Sequence, residues 1–184
     1  MRKIKLYIAI SLNGKIAKAN GDVEWLNSIP NPNKNDFGYS EFYHSVDTTI
    51  QGYSTYQKIL SMGIEFPYAD KKNFVLTSKN KLVSTKYVEF IDENHIEFVN
   101  LLKKGEGKDI WLIGGGKTNT WFLDNNLIDQ LIVFVMPIII NGGIDLFEFN
   151  PAQKLLNLTD TKKYSNGVVR LTYSLDTNLA NSKD

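Results

Sequence analysis

The sequence of 184 residues contains no cysteine and only two histidines. The absence of cysteine excludes disulfide bonds, thiolate metal ligands and a cysteine nucleophile, and it is consistent with a reducing compartment. The two histidines, His44 and His95, stand in separate predicted helices without the spacing of metal ligands. We therefore expect a cytoplasmic protein without a bound metal.

The chain also lacks an excess of charge of either sign. Its 21 Lys and Arg residues against 20 Asp and Glu residues give a formal net charge of +1, and like charges form no long run. Nucleic-acid grooves and polybasic membrane surfaces need such runs. The first apolar run, residues 4–10, is short and contains Lys5, so it predicts a strand rather than a signal or a membrane span. We expect neither nucleic acid nor a membrane as a partner.

What the sequence does have is a series of strand-length apolar runs, several of them followed by stretches with helical spacing. This alternation indicates an α/β fold with a mostly parallel central sheet and helices on both faces. The length fits one domain, residues 1–176, followed by a polar tail, residues 177–184. Residues 155–164 and 168–175, joined by Asn166-Gly167, predict an antiparallel C-terminal hairpin. The predicted strands before it are residues 5–11, 48–51, 73–77, 87–91 and 109–113.

Two further segments carry structural predictions. Asp36 is suited to cap a helix whose apolar stripe includes Phe37 and Phe42. The β-branched run at residues 131–140 is broken by Pro137, which indicates a bend or a sheet edge. Such an edge is suited to a homodimer.

The most informative local feature is the glycine triplet Gly114-Gly115-Gly116, which joins a predicted strand to a predicted helix. Bare backbone amides at a helix N-terminus bind phosphate. The triplet is not a Walker motif, because Trp111 stands where that motif needs a glycine, and it is not a Rossmann fingerprint, because its glycines are contiguous and lie past mid-chain. The alternative is that the triplet only allows a tight turn from strand to helix, and the local sequence leaves both open.

Four segments in a fixed order resemble the dihydrofolate reductase superfamily. They read AISLNGKIA at residues 9–17, TIQGYSTY at 49–56, FVLTS at 74–78 and IGGG at 113–116. The run at residues 135–143 is similar to the branch that contains the reductase domain of riboflavin biosynthesis proteins, the RibD C-terminal domain, and small stand-alone bacterial relatives. The resemblance implies a single-domain dihydrofolate reductase-like fold and NADPH as cofactor.

The resemblance also implies which residues contact the dinucleotide. Ala9 and Ile10 would meet the nicotinamide carboxamide, and Ile16 with the loop at residues 20–25 would close over the ring. The remaining implied cofactor residues lie at two helix starts and one strand end: Gly52, Tyr53, Ser54 and Thr55; Ile113, Gly114, Gly115, Gly116, Lys117 and Thr118; and Thr77, Ser78 and Lys79. The hydroxyl groups of Ser54 and Thr55 have the alternative role of helix caps.

One departure from the family pattern affects cofactor preference. Where the family has an arginine that binds the 2′-phosphate of NADP, this chain has Tyr53. A guanidinium group is hard to replace at a phosphate, and Lys79 with Ser78 is the substitute that the sequence offers. NADPH preference is therefore less firmly implied than dinucleotide binding.

The candidate catalytic residue is Asp36, because an ungapped count back from Gly52 places the family's substrate carboxylate there. The alternative is an exposed helix cap. Trp25 and Phe37 are candidates to stack on a flat heterocyclic substrate, although aromatic side chains of this kind also form cores.

These features predict an NAD(P)H-dependent reductase that acts on a pteridine- or pyrimidine-like substrate, of the dihydrofolate or 5-amino-6-(5-phosphoribosylamino)uracil type. Ile113 occupies the region where the riboflavin branch carries a substrate-binding glutamate, which weakens the assignment of that substrate. The alternative from another class is a nucleotide-binding protein of the same fold without turnover.

Overall fold

A computed structural model describes residues 1–175, so the predicted polar tail lies outside the described residues. The strands are β1 (Ile4–Ser11), β2 (Lys15–Ala17), β3 (Val46–Gly52), β4 (Lys72–Leu76), β5 (Glu89–Ile91), β6 (Asp109–Gly114), β7 (Gln130–Met136), β8 (Ile144–Asp145), β9 (Asn157–Lys163) and β10 (Val169–Ser174). The helices are α1 (Tyr39–Ser45), α2 (Tyr53–Ser61), α3 (His95–Lys104) and α4 (Gly116–Asp124), with a 3-10 helix at Glu24–Ser28.

Eight strands form one sheet in the order β5-β4-β3-β6-β1-β7-β10-β9. The first six run parallel, whereas β10 is antiparallel to β7 and to β9. Strands β2 and β8 form a separate antiparallel pair. The predicted α/β class, the mostly parallel sheet and the C-terminal hairpin are confirmed.

Side chains alternate between the two faces of the large sheet, and the faces carry different helices. Ile50 on β3 and Leu112 on β6 pack in the main core with residues of α3 and α4. Thr49 and Trp111, one residue earlier on the same strands, point to the opposite face, against which α1 and α2 pack. We call this second face the α1/α2 face.

Of the two alternatives for residues 131–140, the bend is present at Pro137, directly after β7, and the sheet edge is wrong. Strand β7 lies between β1 and β10, and both of its edges are hydrogen-bonded. Its continuous apolar, β-branched sequence reflects burial within the sheet, and it ends before Pro137, which has no N–H to donate. The predicted homodimer rested on this run and is left without that support.

The predicted start of the helix at Asp36 also needs correction, because α1 begins at Tyr39. Phe37 and Gly38 adopt left-handed backbone conformations, with φ of 56° and 85°, and these end the loop before the helix. Phe37 therefore lies outside the helix. No helix within residues 1–175 is long and apolar enough to cross a membrane.

Candidate functional site

The carboxyl ends of the parallel strands gather the segments that the sequence assigns to the cofactor. Strand β3 ends at Gly52 and leads directly into α2, and the neighbouring strand β6 ends at Gly114 and leads into α4. The N-termini of two nine-residue helices therefore lie side by side at one edge of the sheet. Ligands of open α/β sheets bind at this edge, and helix N-termini there attract anions.

Glycines and hydroxyl groups bring the two helix starts into contact. The Gly115 N–H donates to Thr55 Oγ1 at 2.8 Å. A Cβ atom at Gly52 would lie 2.2 Å from Thr118 Oγ1, so a larger residue there would displace the Thr118 side chain. We call Gly52, Gly114, Gly115 and Gly116, with the hydroxyls of Thr55 and Thr118, the glycine cradle.

The outer side of α4 is covered by the segment that follows β8. A Cβ atom at Gly116 would lie 2.4 Å from the Asp145 carbonyl oxygen. Asn119 Nδ2 donates to the Leu146 carbonyl at 2.9 Å, and Thr120 Oγ1 donates to the Glu148 carbonyl at 2.7 Å. Because β8 pairs with β2, this segment joins the start of α4 to the loop that follows β1.

A lysine stands beside the position where the family has arginine. Lys79 Nζ lies 4.5 Å from the centroid of the Tyr53 ring, and the Lys79 backbone N–H donates to Thr77 Oγ1 at 3.0 Å. Thr77 is buried, whereas Ser78 and Lys79 are exposed. The structure thus places a cation at the head of α2, although it comes from the loop after β4.

The end of β1, which carries Ala9 and Ile10, is held in place by Asn13. Asn13 Nδ2 donates to the Ile140 carbonyl at 3.0 Å, and Asn13 Oδ1 accepts from the Ile140 N–H at 3.2 Å and from Ser11 Oγ at 2.8 Å. An aspartate, which the family usually has here, could not donate to that carbonyl. Sequence reasoning missed this contact, which joins residues 127 positions apart.

The predicted closing loop lies along α2. A cleft of about 510 Å³ separates residues 20–27 from the second half of that helix, where Lys58, Ser61 and Met62 line it. The Lys58 side chain packs under Gly21, since a Cβ there would lie 3.4 Å from its Cδ atom. Ile16 on β2 is half-buried at the base of this loop. The loop therefore lies beside the C-terminal end of α2, and its Trp25 packs against Phe134 and Met136 of β7.

The two aromatic candidates for substrate contact belong to a core cluster. Trp25 is 5% exposed, and Phe37 packs with it against β7 and Tyr164 of the hairpin. The Phe37 and Tyr164 rings meet edge to face at 4.9 Å between centroids. Contact of Trp25 and Phe37 with a substrate stays a prediction, and their packing role is what the structure displays.

Asp36 is exposed, and its carboxylate accepts backbone N–H groups just before α1. The donors are Gly38 N at 2.9 Å and Ser40 N at 3.1 Å. These hydrogen bonds, the one from Gly38 first, hold the pKa of Asp36 below its usual value, so the group is ionised at neutral pH. This is the geometry of the helix-cap alternative, and the catalytic role remains a prediction.

Tyr7, which sequence reasoning missed, lies on β1 and on the α1/α2 face. Its ring stacks on Phe42 at 4.1 Å and meets Trp111 edge to face. Burial, with a smaller contribution from Tyr164, raises the pKa of Tyr7 well above the usual tyrosine value. Tyr7 therefore offers a neutral hydroxyl group on this face.

Comparison with protein families and curated proteins places this architecture among known relatives. The family described as RibD C-terminal domain matches residues 67–170. The chain is 38% identical over 167 residues to the uncharacterized protein YwjB of Bacillus subtilis (strain 168), an alignment that covers 91% of this chain and 95% of that one. It is 32% identical over 183 residues to the uncharacterized protein YyaP of the same organism, with 94% of each chain covered.

Solved structures show the same fold. A putative riboflavin biosynthesis protein from Shewanella sp. PV-4 superimposes with a TM-score of 0.83 at 30% identity, covering 96% of this chain and 99% of that chain. A diaminohydroxyphosphoribosylaminopyrimidine deaminase/5-amino-6-(5-phosphoribosylamino)uracil reductase from Thermotoga maritima gives a TM-score of 0.71 at 17% identity, covering 95% of this chain and 57% of that one. At that identity the second match concerns the fold alone.

Proposed function

The chain belongs to the RibD C-terminal domain family, and from that premise we propose that it is a reductase that uses NADPH and acts on a pteridine- or pyrimidine-like heterocycle. The observation that carries the proposal is the pair of helix N-termini that meet across the glycine cradle. The dipoles of both helices have their positive ends at this cradle, which favours the binding of an anion.

The residues at this edge fit a dinucleotide. The backbone amides at Tyr53, Ser54 and Gly116, with the hydroxyls of Thr55 and Thr118, would hold the pyrophosphate. Lys79 would face the 2′-phosphate as a point charge, since Tyr53 replaces the arginine of the family pattern. Ala9 and Ile10, at the half-buried end of β1, would meet the nicotinamide carboxamide through their backbone groups.

The dinucleotide, when bound, supplies a hydride, and the chain has to position the acceptor and move a proton. The loop at residues 20–27 would exclude water from the α1/α2 face. We assign the proton transfer or the substrate contact to Asp36, whose carboxylate is ionised at neutral pH. Binding of the dinucleotide at the cradle would hold its nicotinamide ring against the end of β1, where Asn13 anchors the chain to Ile140.

A second candidate function is nucleotide binding without turnover. Two observations favour it: the carboxylate of Asp36 is already engaged by backbone N–H groups, and Tyr53 stands where the family has an arginine. The test is calorimetric titration of the pure protein with NADPH, followed by absorbance assays of NADPH oxidation with pteridine and pyrimidine substrates. Binding with turnover supports the reductase, binding without turnover supports the second candidate, and absence of binding contradicts both.

A further inference from the structure

The dipeptide Asn-Gly occurs four times in the chain, at residues 13–14, 20–21, 141–142 and 166–167. Asparagine is prone to deamidation before a glycine, because glycine has no Cβ atom to keep its backbone nitrogen away from the asparagine side chain. That nitrogen attacks the side-chain amide, and the reaction is slowed where its N–H or the amide is already held by a hydrogen bond. The hydrogen bonds of the four turns therefore predict which of them reacts.

Three of the four turns share one protection, a glycine N–H that donates to a backbone carbonyl of the same turn at 2.8 to 3.1 Å. The donors are Gly14, Gly21 and Gly167. In each of these turns the asparagine side chain is hydrogen-bonded as well. The protection is most extensive at Asn13, whose amide group makes three hydrogen bonds, two of them to the backbone of Ile140.

The fourth turn, Asn141-Gly142, has neither protection. Both residues are exposed, and a Cβ atom at Gly142 would have no atom other than those of its chain neighbours within 4 Å. Within residues 1–175, the Gly142 N–H donates to no acceptor and the Asn141 side chain has no hydrogen-bond partner. The two groups that have to meet for deamidation are therefore unconstrained at this turn.

The segment that contains this dipeptide is fixed on both of its sides. On one side, the N–H and the carbonyl of Ile140 are both hydrogen-bonded to the side chain of Asn13. On the other side, Gly143 packs so closely on β2 that a Cβ atom there would lie 2.2 Å from the Ala17 carbonyl oxygen. Residues 141–142 thus form an unsupported bridge between two anchored positions.

We propose that Asn141 is a site of spontaneous deamidation, a modification that goes beyond the proposed function and does not depend on it. The Gly142 nitrogen forms a bond to Asn141 Cγ, the bond from Cγ to Nδ2 breaks, and ammonia leaves with the proton of the Gly142 N–H. Water then opens the resulting succinimide. Opening at Cγ gives aspartate, and opening at the main-chain carbonyl carbon gives isoaspartate. Water is the only co-reactant.

Isoaspartate changes the bridge, because it adds a methylene group to the main chain between Ile140 and Gly143 and introduces a negative charge. We expect the altered bridge to weaken the hydrogen bonds between Ile140 and Asn13, and the modified protein to melt at a lower temperature. Aspartate, the other product, keeps the length of the main chain and should leave both anchors in place.

The experiment incubates the full chain for several days in mildly alkaline buffer, folded and in denaturant, and follows each asparagine by peptide mass spectrometry with fragmentation that separates isoaspartate from aspartate. In the folded protein we expect Asn141 to react at least about tenfold faster than the three protected asparagines, a ratio that corresponds to about 1.4 kcal/mol in activation free energy. In denaturant this difference should disappear, because it is due to the hydrogen bonds of the folded turns.

Thermal melts of the same samples test the effect on the anchors. Incubated wild type should melt lower as its isoaspartate content rises, incubated Asn141→Gln should melt like its fresh sample, and fresh Asn141→Asp should melt like fresh wild type. An intact Asn141 in the incubated folded protein, or faster reaction at one of the other three turns, would overturn the proposal. Accumulation of isoaspartate without a lower melting temperature would overturn the effect on the anchors and support the site.

Discussion

The two ends of the parallel strands differ in how their polar groups are paired. We call the end at the strand N-termini the amino edge and the end at the strand C-termini the carboxyl edge. At the amino edge, the buried Arg2 side chain donates to the Lys108 carbonyl at 2.5 Å and to Thr48 Oγ1 at 2.6 Å, and it pairs with Asp47. At the carboxyl edge the corresponding positions are glycines and hydroxyls, and the nearby cation, Lys79, is exposed. An edge with paired polar groups contributes to stability, whereas an edge with free backbone donors is available to a ligand.

A second ion pair repeats the pattern at the amino edge. Lys103 Nζ, from the last turn of α3, lies 2.8 Å from Asp129 Oδ2, and that carboxylate also accepts from the Ile4 N–H at 2.7 Å. Lys103 is buried, at 6% exposure, whereas Asp129 is half-buried. Paired charges therefore mark the amino edge of this sheet, whereas glycines and hydroxyl groups mark the carboxyl edge, which is the edge that we propose binds the cofactor.

The largest expected effect comes from breaking the amino edge. Arg2→Met leaves Asp47 and Thr48 without their cation, and we expect a loss of about 2–4 kcal/mol in the free energy of unfolding. The NADPH dissociation constant should not change, because Arg2 lies at the far end of the strands. Chemical denaturation and calorimetry measure the two quantities. Lys3→Met is the control, since the Lys3 side chain is exposed. If Arg2→Met lost both stability and NADPH affinity, the separation between a stabilising amino edge and a ligand-binding carboxyl edge would be contradicted.

The next effect concerns Asp36, whose structural role is visible and whose catalytic role is proposed. Asp36→Asn keeps one acceptor for the N–H groups of Gly38 and Ser40, so we expect a small change in melting temperature. If the carboxylate serves the substrate, kcat falls about 100-fold. The measurement is kcat at several pH values beside a thermal melt. Full activity in this variant would leave Asp36 as a cap of the loop before α1.

The depressed pKa of Asp36 also sets the direction of its pH dependence. Because the folded-state pKa lies below the unfolded value, the hydrogen bonds of its carboxylate stabilise the fold at neutral pH and are lost as the pH falls through the acidic range. The stability of wild type should therefore lose this contribution in acid. Asp36→Asn should flatten that part of the profile.

The smallest effects concern cofactor preference at the head of α2. Lys79→Met should lower the affinity for NADPH about fivefold and leave the affinity for NADH unchanged, because only NADPH carries the 2′-phosphate. Tyr53→Arg should raise the preference for NADPH, since a guanidinium binds phosphate in two places. Lys86→Met is the matched control: its Nζ also lies over a tyrosine ring, at 5.1 Å from Tyr87, but away from the cradle. If the ratio of the NADPH and NADH dissociation constants is the same in both variants as in wild type, Lys79 and Tyr53 do not face the 2′-phosphate.

The sequence predicted those parts of the molecule that depend on local pattern. Strand runs and the Asn166-Gly167 turn led to the correct sheet, and the motif at residues 113–116 led to the carboxyl edge. The sequence-based predictions failed where the structure depends on contacts between residues far apart in the chain. The run at residues 131–140 looked like an edge, because alternation cannot show that β10 returns beside β7. Helix α1 began later than expected, because the left-handed backbone at Phe37 and Gly38 is not visible in an apolar stripe.

The candidate site was likewise predicted only in part. Its glycines and hydroxyls were named from the sequence because they follow strands directly. The contact of Asn13 with Ile140 and the cover that Asp145 and Glu148 form over α4 were missed. Each of these depends on which distant backbone atoms lie nearby, and no local pattern carries that information.

The most direct test of the account is calorimetric titration of NADPH into Gly115→Val. Gly115 has a φ of −70°, outside the left-handed region, and a Cβ there would lie 3.2 Å from Thr55 Oγ1, so a valine side chain would project into the cradle. Gly105→Val is the matched control at the amino edge, where the nearest atom to a Cβ is 3.5 Å away. The account predicts that Gly115→Val weakens NADPH binding by at least about tenfold, or ~1.4 kcal/mol, while Gly105→Val binds like wild type. Equal affinity in a folded Gly115→Val variant would contradict the assignment of the carboxyl edge to the cofactor.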